Sequence, residues 1–504
     1  AHRAIDGKTT LNKGWNKFKV QYYQGGGGYS ISLQWSDDGK KFTVVPDSVL
    51  YHDGSFFRKL TPYVPKKLYA KTIPGDKIPL DAVHPSFDKF EAKLDDFHPR
   101  IGGIDFIDED KMVICTWDSA GSVYIIKNYN SKNEEAIEVK QIASGLAEPL
   151  GIKMVDGEMY VLQKQELTKL VDTDGDEIID EYRKVCNSWH VTSHYHEFAF
   201  GLLYRDGNFF ATLATDLGEE YKNVPDRGKV VRISKDGSEF EVLAEGFRTP
   251  NGISHGPDGA LYVSDNQGNW IPTSKIIRVE KGKFYGYKHA DWDRVKDYEE
   301  QPPLVWLPHV EISNSPSQQA ILNIGPYKDQ MIHGDVTHGG IKRVFIDEVD
   351  GIKQGAAFRF MQGLDAGVNR LIWGPDGNLY AGGIGSGGNW RHEGHLWYSL
   401  NGFTYNEKST FEMLAVRAKS DGMEIELTEP ILNGTNLSTE DFDVQQYYYV
   451  ATKAYGGPKM GEEVLEVVSV NVSDDRKKIF LEIDGIKEGK VVYIHINQPF
   501  ISEN

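Results

Sequence analysis

Pro257-Asp258-Gly259-Ala260-Leu261-Tyr262-Val263 is an alternating apolar stretch entered through an Asp-Gly pair. Three further clear copies and two weaker ones occur, at residues 155–161, 205–210, 375–380, 109–114 and 328–332. An Asp-Gly pair between alternating apolar residues predicts a β-hairpin, because glycine supplies the positive φ that the tight turn needs. The copies recur at intervals of roughly 45 to 70 residues, which is typical of propeller blades. The sequence therefore predicts an all-β protein built around a six-bladed β-propeller.

The first 60 residues have a different pattern. Residues 14–24 and 29–36 alternate polar and apolar side chains on either side of the glycine run 25–28. This pattern predicts two strands joined by a glycine-rich turn. Residues 15–45 resemble the closing third of a protective-antigen-type β-sandwich module, so we interpret residues 1–60 as part of such a module.

Three further segments complete the predicted organisation. A linker that contains Pro and Lys covers residues 61–84 and leads into the propeller, residues 85–430. Three stretches with period-two patterning follow, so residues 435–504 are expected to form a small sandwich-like C-terminal β domain.

Composition limits the classes of partner. The chain has 504 residues, of which 52 are glycine, and its formal net charge is −18. Binding to nucleic acid requires a basic face, and this charge argues against one, so no nucleic-acid partner is expected. No stretch approaches the ~18 apolar residues of a membrane span, and Ala1 opens no charged and apolar leader. We therefore expect no membrane-spanning segment.

A histidine-rich segment precedes the third hairpin. His190, His194 and His196 lie shortly before the Asp206-Gly207 turn. Imidazole is the side chain whose unperturbed pKa suits a base near neutral pH. The segment from His196 to Asp206 resembles soluble quinoprotein sugar dehydrogenases, where a His at this spacing removes the proton of a sugar hydroxyl while a hydride passes to pyrroloquinoline quinone (PQQ). The resemblance implies that His196 is the catalytic base, that PQQ is the cofactor and that the substrate is a carbohydrate.

A second segment extends the resemblance. Residues 246–253 and 256–268 are similar to that family's Gly-x-Arg-Asn-Pro-Gln-Gly segment and to the Gln-Gly loop after it. The resemblance implies that Arg248 and Gln267 contact the quinone and that the backbone carbonyl of Gly268 binds calcium. A guanidinium and a divalent cation suit a ligand that carries carboxylates and an ortho-quinone. Asn251 replaces the family's Gln and is a further candidate for binding the cofactor.

The last candidate contacts lie in the fifth and sixth predicted blades. His338 stands where the family has a cofactor-binding Lys, Lys342 follows four residues later, and Arg370 corresponds to one of the family's two arginines before the last hairpin. Residues 85–430 resemble still more closely the sorbosone-dehydrogenase-like propellers of large secreted bacterial proteins. This resemblance implies a secreted, periplasmic or cell-surface protein. Because no Cys-x-x-Cys-His haem site occurs, we expect an external electron acceptor, for example a c-type cytochrome.

An acidic turn in the second blade is a candidate calcium loop. Asp172, Asp174, Asp176 and Asp180 are spaced around Gly175, so that alternate carboxylates can converge on one hard cation. A solvated acidic turn is the alternative interpretation, and either role would be structural.

Two other functions remain open. A calcium-dependent lactonase of the gluconolactonase type also has six blades, and it would use Asn251 of the Pro-Asn-Gly turn as a metal ligand. A non-catalytic propeller that binds glycans or serves as a scaffold is the other alternative.

Overall fold

The computed structural model describes residues 7–14, 16, 32–46, 49, 82–215, 224, 226–387 and 390–497. The chain divides into two compact units, Ala1–Tyr69 and Ala70–Asn504. In the first unit, β1 (Gln34–Trp35) pairs antiparallel with β2 (Thr43–Val44). Most of the predicted strand 14–24, the glycine run and most of the 61–84 linker lie outside the described residues.

Six of the four-stranded antiparallel sheets in the second unit form the blades of a propeller. Blade 1 consists of β4 (Ile101–Phe106), β5 (Lys111–Thr116), β6 (Val123–Lys127) and β7 (Glu138–Ala143). Blade 2 consists of β8 (Gly151–Val155), β9 (Glu158–Leu162), β10 (Leu167–Val171) and β11 (Glu181–Cys186). Blade 3 consists of β12 (Ala199–Arg205), β13 (Asn208–Leu213), β14 (Lys229–Ser234) and β15 (Phe240–Glu245).

The other three blades follow the same plan. Blade 4 consists of β16 (Gly252–His255), β17 (Leu261–Asp265), β18 (Ser274–Arg278) and β19 (Val305–Leu307), with the short helix α1 (Trp292–Val295) before its last strand. Blade 5 consists of β20 (Pro316–Leu322), β21 (Gln330–Asp335), β22 (Ile341–Val349) and β23 (Ile352–Met361). Blade 6 consists of β24 (Gly367–Trp373), β25 (Leu379–Ile384), β26 (Tyr398–Tyr405) and, from the other end of the propeller sequence, β3 (Phe87–Glu91).

The blades form a closed ring. The first strand of each blade contacts the first strand of the next, and β24 contacts β4. In addition, β3 pairs with β26, so the start of the propeller sequence completes its last blade. The prediction of an all-β, six-bladed propeller is therefore confirmed.

The Asp-Gly signals lie where the hairpin argument predicts. Every one of the six copies joins the first strand of a blade to its second strand. The four clear copies have their glycine in the left-handed region, with φ between 73° at Gly259 and 79° at Gly157 and Gly377. These turns lie at one end of the ring, because every first strand runs toward them. The loops before the first strands and after the second strands lie at the other end, which we call the mouth.

Two smaller sheets follow the propeller. One consists of β27 (Met413–Lys419), β28 (Gly422–Leu427), β31 (Val467–Val472) and β32 (Lys478–Ile483). The other consists of β29 (Phe442–Tyr448), β30 (Met460–Leu465) and β33 (Val491–Ile496). Apolar side chains of both sheets form one core, including Ile425, Val444 and Leu481. These sheets begin at Met413, earlier than the position 435 expected from the sequence.

Short helical segments and the two cysteines complete the description. Besides α1, the second unit has two short 3₁₀ helices, Glu134–Ala136 and Thr439–Asp441. Among the described residues, every helix is too short and too polar to traverse a bilayer.

Cys115 and Cys186 are both buried and form no disulfide, and burial raises the pKa of Cys115 to about 12.

Candidate active site at the axial mouth

The structure brings the predicted base and the predicted guanidinium to the same end of the propeller. His196 precedes β12 and Arg248 precedes β16, so both lie in mouth loops. Gln267 and His338 follow the second strands of blades 4 and 5 and reach the same end. Residues from separate blades therefore meet around one axis, as propeller geometry requires.

The imidazole of His196 has a defined tautomer. Its Nδ1 lies 2.7 Å from the carbonyl oxygen of Thr215, so Nδ1 carries the proton and donates it. Its Nε2 lies 3.3 Å from Oγ1 of Thr249 and is the unprotonated nitrogen. Burial, together with the nearby charge of Arg248, lowers the pKa of His196 to about 3. The ring is thus neutral and keeps a lone pair on Nε2.

Two buried charged residues hold the loop that carries His196. The Glu197 carboxylate accepts hydrogen bonds from the backbone nitrogen and the hydroxyl of Thr192, at 2.7 and 2.8 Å. Arg227 donates to the carbonyls of His190 and Phe198, at 2.9 and 3.1 Å. Because these bonds lie on both sides of His196, the imidazole is presented from a rigid loop.

Arg248 is buried beside this histidine. Its Nη1 donates to Thr249 Oγ1 at 3.1 Å and to the carbonyl oxygen of Gln267 at 2.7 Å. The side chain of Thr249 therefore links the guanidinium to Nε2 of His196. Among the described residues, Arg248 Nε is buried and has no hydrogen-bond partner. Both acceptors of the guanidinium are neutral, so its charge is not balanced by a bonded carboxylate.

Asp265, the carboxylate that fixes the backbone of Arg248 and Thr249, was not identified from the sequence. Asp265, at the end of β17, accepts hydrogen bonds from the backbone nitrogens of Arg248 and Thr249, at 3.0 and 2.8 Å. Asp335 ends β21 in blade 5 and in the same way accepts from the backbone nitrogens of Asn314 and Ser315, at 3.0 and 3.1 Å. An Asp closing the second strand of a blade was a signal available in the sequence.

Aromatic rings form a floor across the mouth. Trp117 and Trp390 meet edge to face with their ring centroids 5.0 Å apart, and Phe198 stacks on Trp390 at 6.1 Å. The edge of the His196 ring meets Phe198 at 5.6 Å. These rings belong to one apolar cluster, and Phe198 brings that cluster against the imidazole of His196.

A second cluster of polar side chains lies at the mouth, in blade 5. His338 donates its backbone nitrogen to Asp335 at 2.6 Å, and Lys342 Nζ donates to the carbonyl of Gly339. Burial lowers the pKa of Lys342 to about 8 and that of His338 to about 4, and the charge of Lys342 adds to the effect on His338. His338 and Lys342 are neighbours of each other, but among the described residues no contact joins them to His196 or Arg248.

Arg370 occupies a different place from the one predicted. The residue is 2% exposed, and its guanidinium donates to the carbonyls of Gly102, Leu150 and Asn251, at 2.7, 2.6 and 3.1 Å. These residues belong to blades 1, 2 and 4, whereas Arg370 belongs to blade 6. The side chain therefore lies on the axis inside the ring, and its donors bond to the protein itself.

The amide of Asn251 is also engaged inside the ring. Its oxygen accepts from Arg370 at 3.0 Å, and its nitrogen donates to Asn369 Oδ1 at 2.9 Å. Beyond Arg370, toward the Asp-Gly end, the first strands line a partly open cavity of about 180 Å³. Arg370 and Asn251 are thus parts of the axial framework.

The carbonyl oxygen of Gly268 already accepts two backbone hydrogen bonds. It accepts from the nitrogens of Ile271 and Gly456, at 3.1 and 3.0 Å. Gly268 has a second role, because a Cβ at this position would lie 2.0 Å from Cδ of Arg248. The glycine therefore allows the close approach of the Arg248 side chain.

The acidic turn of blade 2 brings three of its four predicted carboxylates together. Ligand oxygens of Asp172, Asp174 and Asp176 all lie within 4.8 Å of one another. Asp180 is instead held by Thr173, which donates its backbone nitrogen at 2.7 Å and its hydroxyl at 2.6 Å. Three lysines surround the neighbouring Glu177 at 3.0 to 3.5 Å, namely Lys111, Lys127 and Lys140.

No protein-family model and no curated protein matches this chain. Solved structures do match. A putative oxidoreductase described as a glucose dehydrogenase, from Thermus thermophilus, aligns over 63% of this chain and 100% of its own length, with 15% identity and a TM-score of 0.50. At this identity the likeness supports the propeller fold and nothing finer.

Two further structures have lower scores. The PQQ-bound aldose sugar dehydrogenase of Streptomyces coelicolor is 12% identical over 64% of this chain and 100% of its own, with a TM-score of 0.45. A family AA12 carbohydrate-active enzyme of Trichoderma reesei, in its calcium structure, is 12% identical over 66% of this chain and 98% of its own, with a TM-score of 0.48. Each of these three structures is named as a sugar dehydrogenase or a carbohydrate-active enzyme.

Proposed function

We propose that this chain is a quinone-dependent oxidoreductase that acts on sugars or sugar alcohols at the mouth of the propeller. The observation that carries the proposal is the link from Arg248 Nη1 through Thr249 Oγ1 to His196 Nε2. It joins a neutral base to a buried cation on an apolar aromatic floor. Alcohol oxidation needs both, because a proton must leave the hydroxyl while negative charge develops on the electron acceptor.

The residues at the mouth fit an anionic, planar cofactor such as PQQ. The guanidinium of Arg248 is buried and its two bonded acceptors are neutral, so an anionic ligand would give it a directly bonded partner of opposite charge. Arg248 also offers a buried Nε donor that no described group accepts. Of the aromatic cluster, Trp390 and Trp117 are perpendicular to each other, so one of the two would stack on a flat ring system and the other would contact its edge.

His196 would act as the general base. Nδ1 keeps its proton by donating to the Thr215 carbonyl, so Nε2 carries the lone pair, and the substrate hydroxyl would take the place of the Thr249 hydroxyl that lies 3.3 Å from it. When bound, the quinone would accept the hydride from the substrate carbon that carries this hydroxyl. The aromatic floor would exclude water from the reacting groups.

A calcium ion at Gly268 does not fit these residues. The Gly268 carbonyl already accepts two backbone N–H groups, and the Gln267 carbonyl accepts from Arg248. The lactonase alternative meets a similar obstacle, because the amide oxygen of Asn251 already accepts from the Arg370 guanidinium. A cation at Asn251 would have to displace a buried positive charge. Nothing in the fold supports the c-type cytochrome as the electron acceptor.

The test is reconstitution of the purified protein with PQQ and calcium, followed by desalting. We expect the absorbance of a bound quinone to remain with the protein, and we expect an artificial dye to be reduced when aldoses or sugar alcohols are added. Protein that retains no quinone and reduces no dye would refute the proposal. Lactone hydrolysis that disappears on chelation would instead select the lactonase, and glycan retention without turnover would select the scaffold.

We also propose that the acidic turn binds calcium as a structural staple. Addition of calcium is expected to raise the melting temperature by a few degrees relative to chelator, since binding to the folded state alone adds ~2.7 kcal/mol at about a hundredfold excess over Kd. Asp174→Asn should abolish this increase, because it removes one of three converging carboxylates. Asp236→Asn, in an exposed turn of blade 3, is the matched control. If calcium raises the melting temperature of the Asp174→Asn variant as much as that of the wild type, the turn is not a calcium site and the solvated-turn interpretation holds.

A further inference from the structure

The C-terminal sheets send one loop to the mouth. Residues 449–459 join β29 to β30 and lie against residues 267–272 of blade 4. Trp270 donates its backbone nitrogen to the Thr452 carbonyl at 2.7 Å, and Gly456 donates to the Gly268 carbonyl at 3.0 Å. The side-chain amide of Asn269 donates to the Lys453 carbonyl at 2.8 Å. The tip of the 449–459 loop is therefore fixed by hydrogen bonds donated from both sides of the contact.

The base of the same loop is fixed as well. Lys459 pairs with Glu311, with nitrogen to oxygen distances of 2.7 and 2.8 Å and both side chains only 12% exposed. The Tyr449 ring packs against Trp306 with the centroids 5.5 Å apart. A loop held at its base and at its tip presents the side chains between them in a defined position.

Tyr455 is the side chain that this loop presents at the mouth. Its ring lies over the Arg248 guanidinium, with Cζ 4.9 Å from the ring centroid. The residue is nevertheless 57% exposed, among the highest values for a large apolar or aromatic residue in the described chain. The ring thus has one face against a buried cation and a large part of its surface free. Gly456 permits this arrangement, because its φ is +67° and a Cβ there would lie 2.7 Å from Gln267 Nε2.

We propose that Tyr455 is the residue on which a pyranose ring of the substrate stacks, so that the C-terminal sheets supply part of the sugar specificity. This inference rests on the proposed function and assigns its substrate-binding surface. A sugar presents C–H groups on one face, which pack on an aromatic ring, and hydroxyls at its edge. The cation beneath Tyr455 holds the ring in place, since a guanidinium is attracted to an aromatic face. A sugar stacked on the free face of Tyr455 would lie on the far side of that ring from Arg248, so a hydroxyl would reach past the rim of the ring toward the Arg248–Thr249–His196 chain.

The test compares Tyr455→Ala with Tyr455→Phe in the reconstituted protein. We expect the alanine variant to raise KM for the sugar about 10-fold while kcat changes less than about 3-fold, because stacking binds substrate and transition state alike. The phenylalanine variant should keep the wild-type KM, since it retains the ring. Tyr182→Ala, an exposed tyrosine on the outer strand of blade 2, is the control. Melting temperatures of the variants report whether the loop has stayed folded.

A second measurement separates this inference from the proposed function. Calorimetric titration of the cofactor-free protein with the same sugar should give a Kd that rises about 10-fold in Tyr455→Ala. Dye reduction with a KM that is unchanged in Tyr455→Ala would overturn the stacking role and leave the oxidoreductase standing. Sugar binding that depends on Tyr455, without any dye reduction, would support the stacking role and refute the oxidoreductase. A phenylalanine variant as weak as the alanine variant would assign the effect to the hydroxyl and overturn stacking.

Discussion

Replacing His196 by glutamine is expected to lower kcat for sugar oxidation by about 10²- to 10⁴-fold, which is the usual contribution of a positioned general base. Glutamine can still donate to the Thr215 carbonyl, so the local fold should persist, but it has no nitrogen lone pair to accept a proton. Retention of the quinone should be nearly unchanged, because Arg248 and the aromatic floor remain. Steady-state dye reduction and the absorbance of bound quinone measure the two effects separately.

The control for this variant is His190→Gln, which changes an exposed histidine of the same loop and should leave turnover intact. The pH dependence adds a second check. Because burial lowers the pKa of His196 to about 3, well below the ordinary 6.5, its ring is neutral across the neutral range. The ratio of wild-type to variant rates should therefore stay constant from about pH 5 to about pH 8. Wild-type turnover in the glutamine variant would remove His196 from the mechanism.

Replacing Arg370 by leucine is expected to reduce the free energy of unfolding by about 3 kcal/mol, because several buried carbonyls lose a hydrogen-bond donor at once. The change leaves the carbonyls of Gly102, Leu150 and Asn251 without this donor, and an unsatisfied buried acceptor costs ~1–3 kcal/mol. Since these carbonyls belong to three different blades, the loss should weaken ring closure itself. Thermal and urea denaturation would measure the shift.

Two further variants keep the Arg370 experiment decisive. Arg370→Lys retains the charge but cannot reach carbonyls in several directions at once, so its stability should fall between wild type and leucine. Arg183→Leu, at a half-exposed arginine on the outer strand of blade 2, should unfold like the wild type. If the leucine variant does not fold, the lysine variant supplies the measurement. Wild-type stability in both Arg370 variants would contradict the axial role.

The sequence reveals the propeller because its signals are local. Each Asp-Gly turn depends on a few neighbouring residues, and related turn chemistry recurs in all six blades. For the same reason His196 and Arg248 could be placed at one end, since each lies at a fixed point before the first strand of its blade. The three converging carboxylates of Asp172, Asp174 and Asp176 are also a local pattern.

The contacts that differ from prediction all join distant parts of the chain. Arg370 was expected to contact the cofactor. Its guanidinium instead bonds to carbonyls of other blades, because its side chain points from β24 toward the axis of the closed ring. The carbonyl of Gly268 was expected to bind calcium, but a C-terminal loop supplies one of its two N–H partners. No local pattern encodes either contact, because each depends on how separate sheets pack.

By itself, the sequence determined a ring of hairpins and the end of the ring at which an imidazole and a guanidinium lie. Only the tertiary structure decided which groups accompany them, namely Thr249 between the two side chains, the floor of Trp117, Phe198 and Trp390, and Tyr455 above Arg248. The physical reason is that hairpins follow from turn conformations available to a few adjacent residues, whereas the composition of the mouth follows from close packing among loops that are remote in the chain.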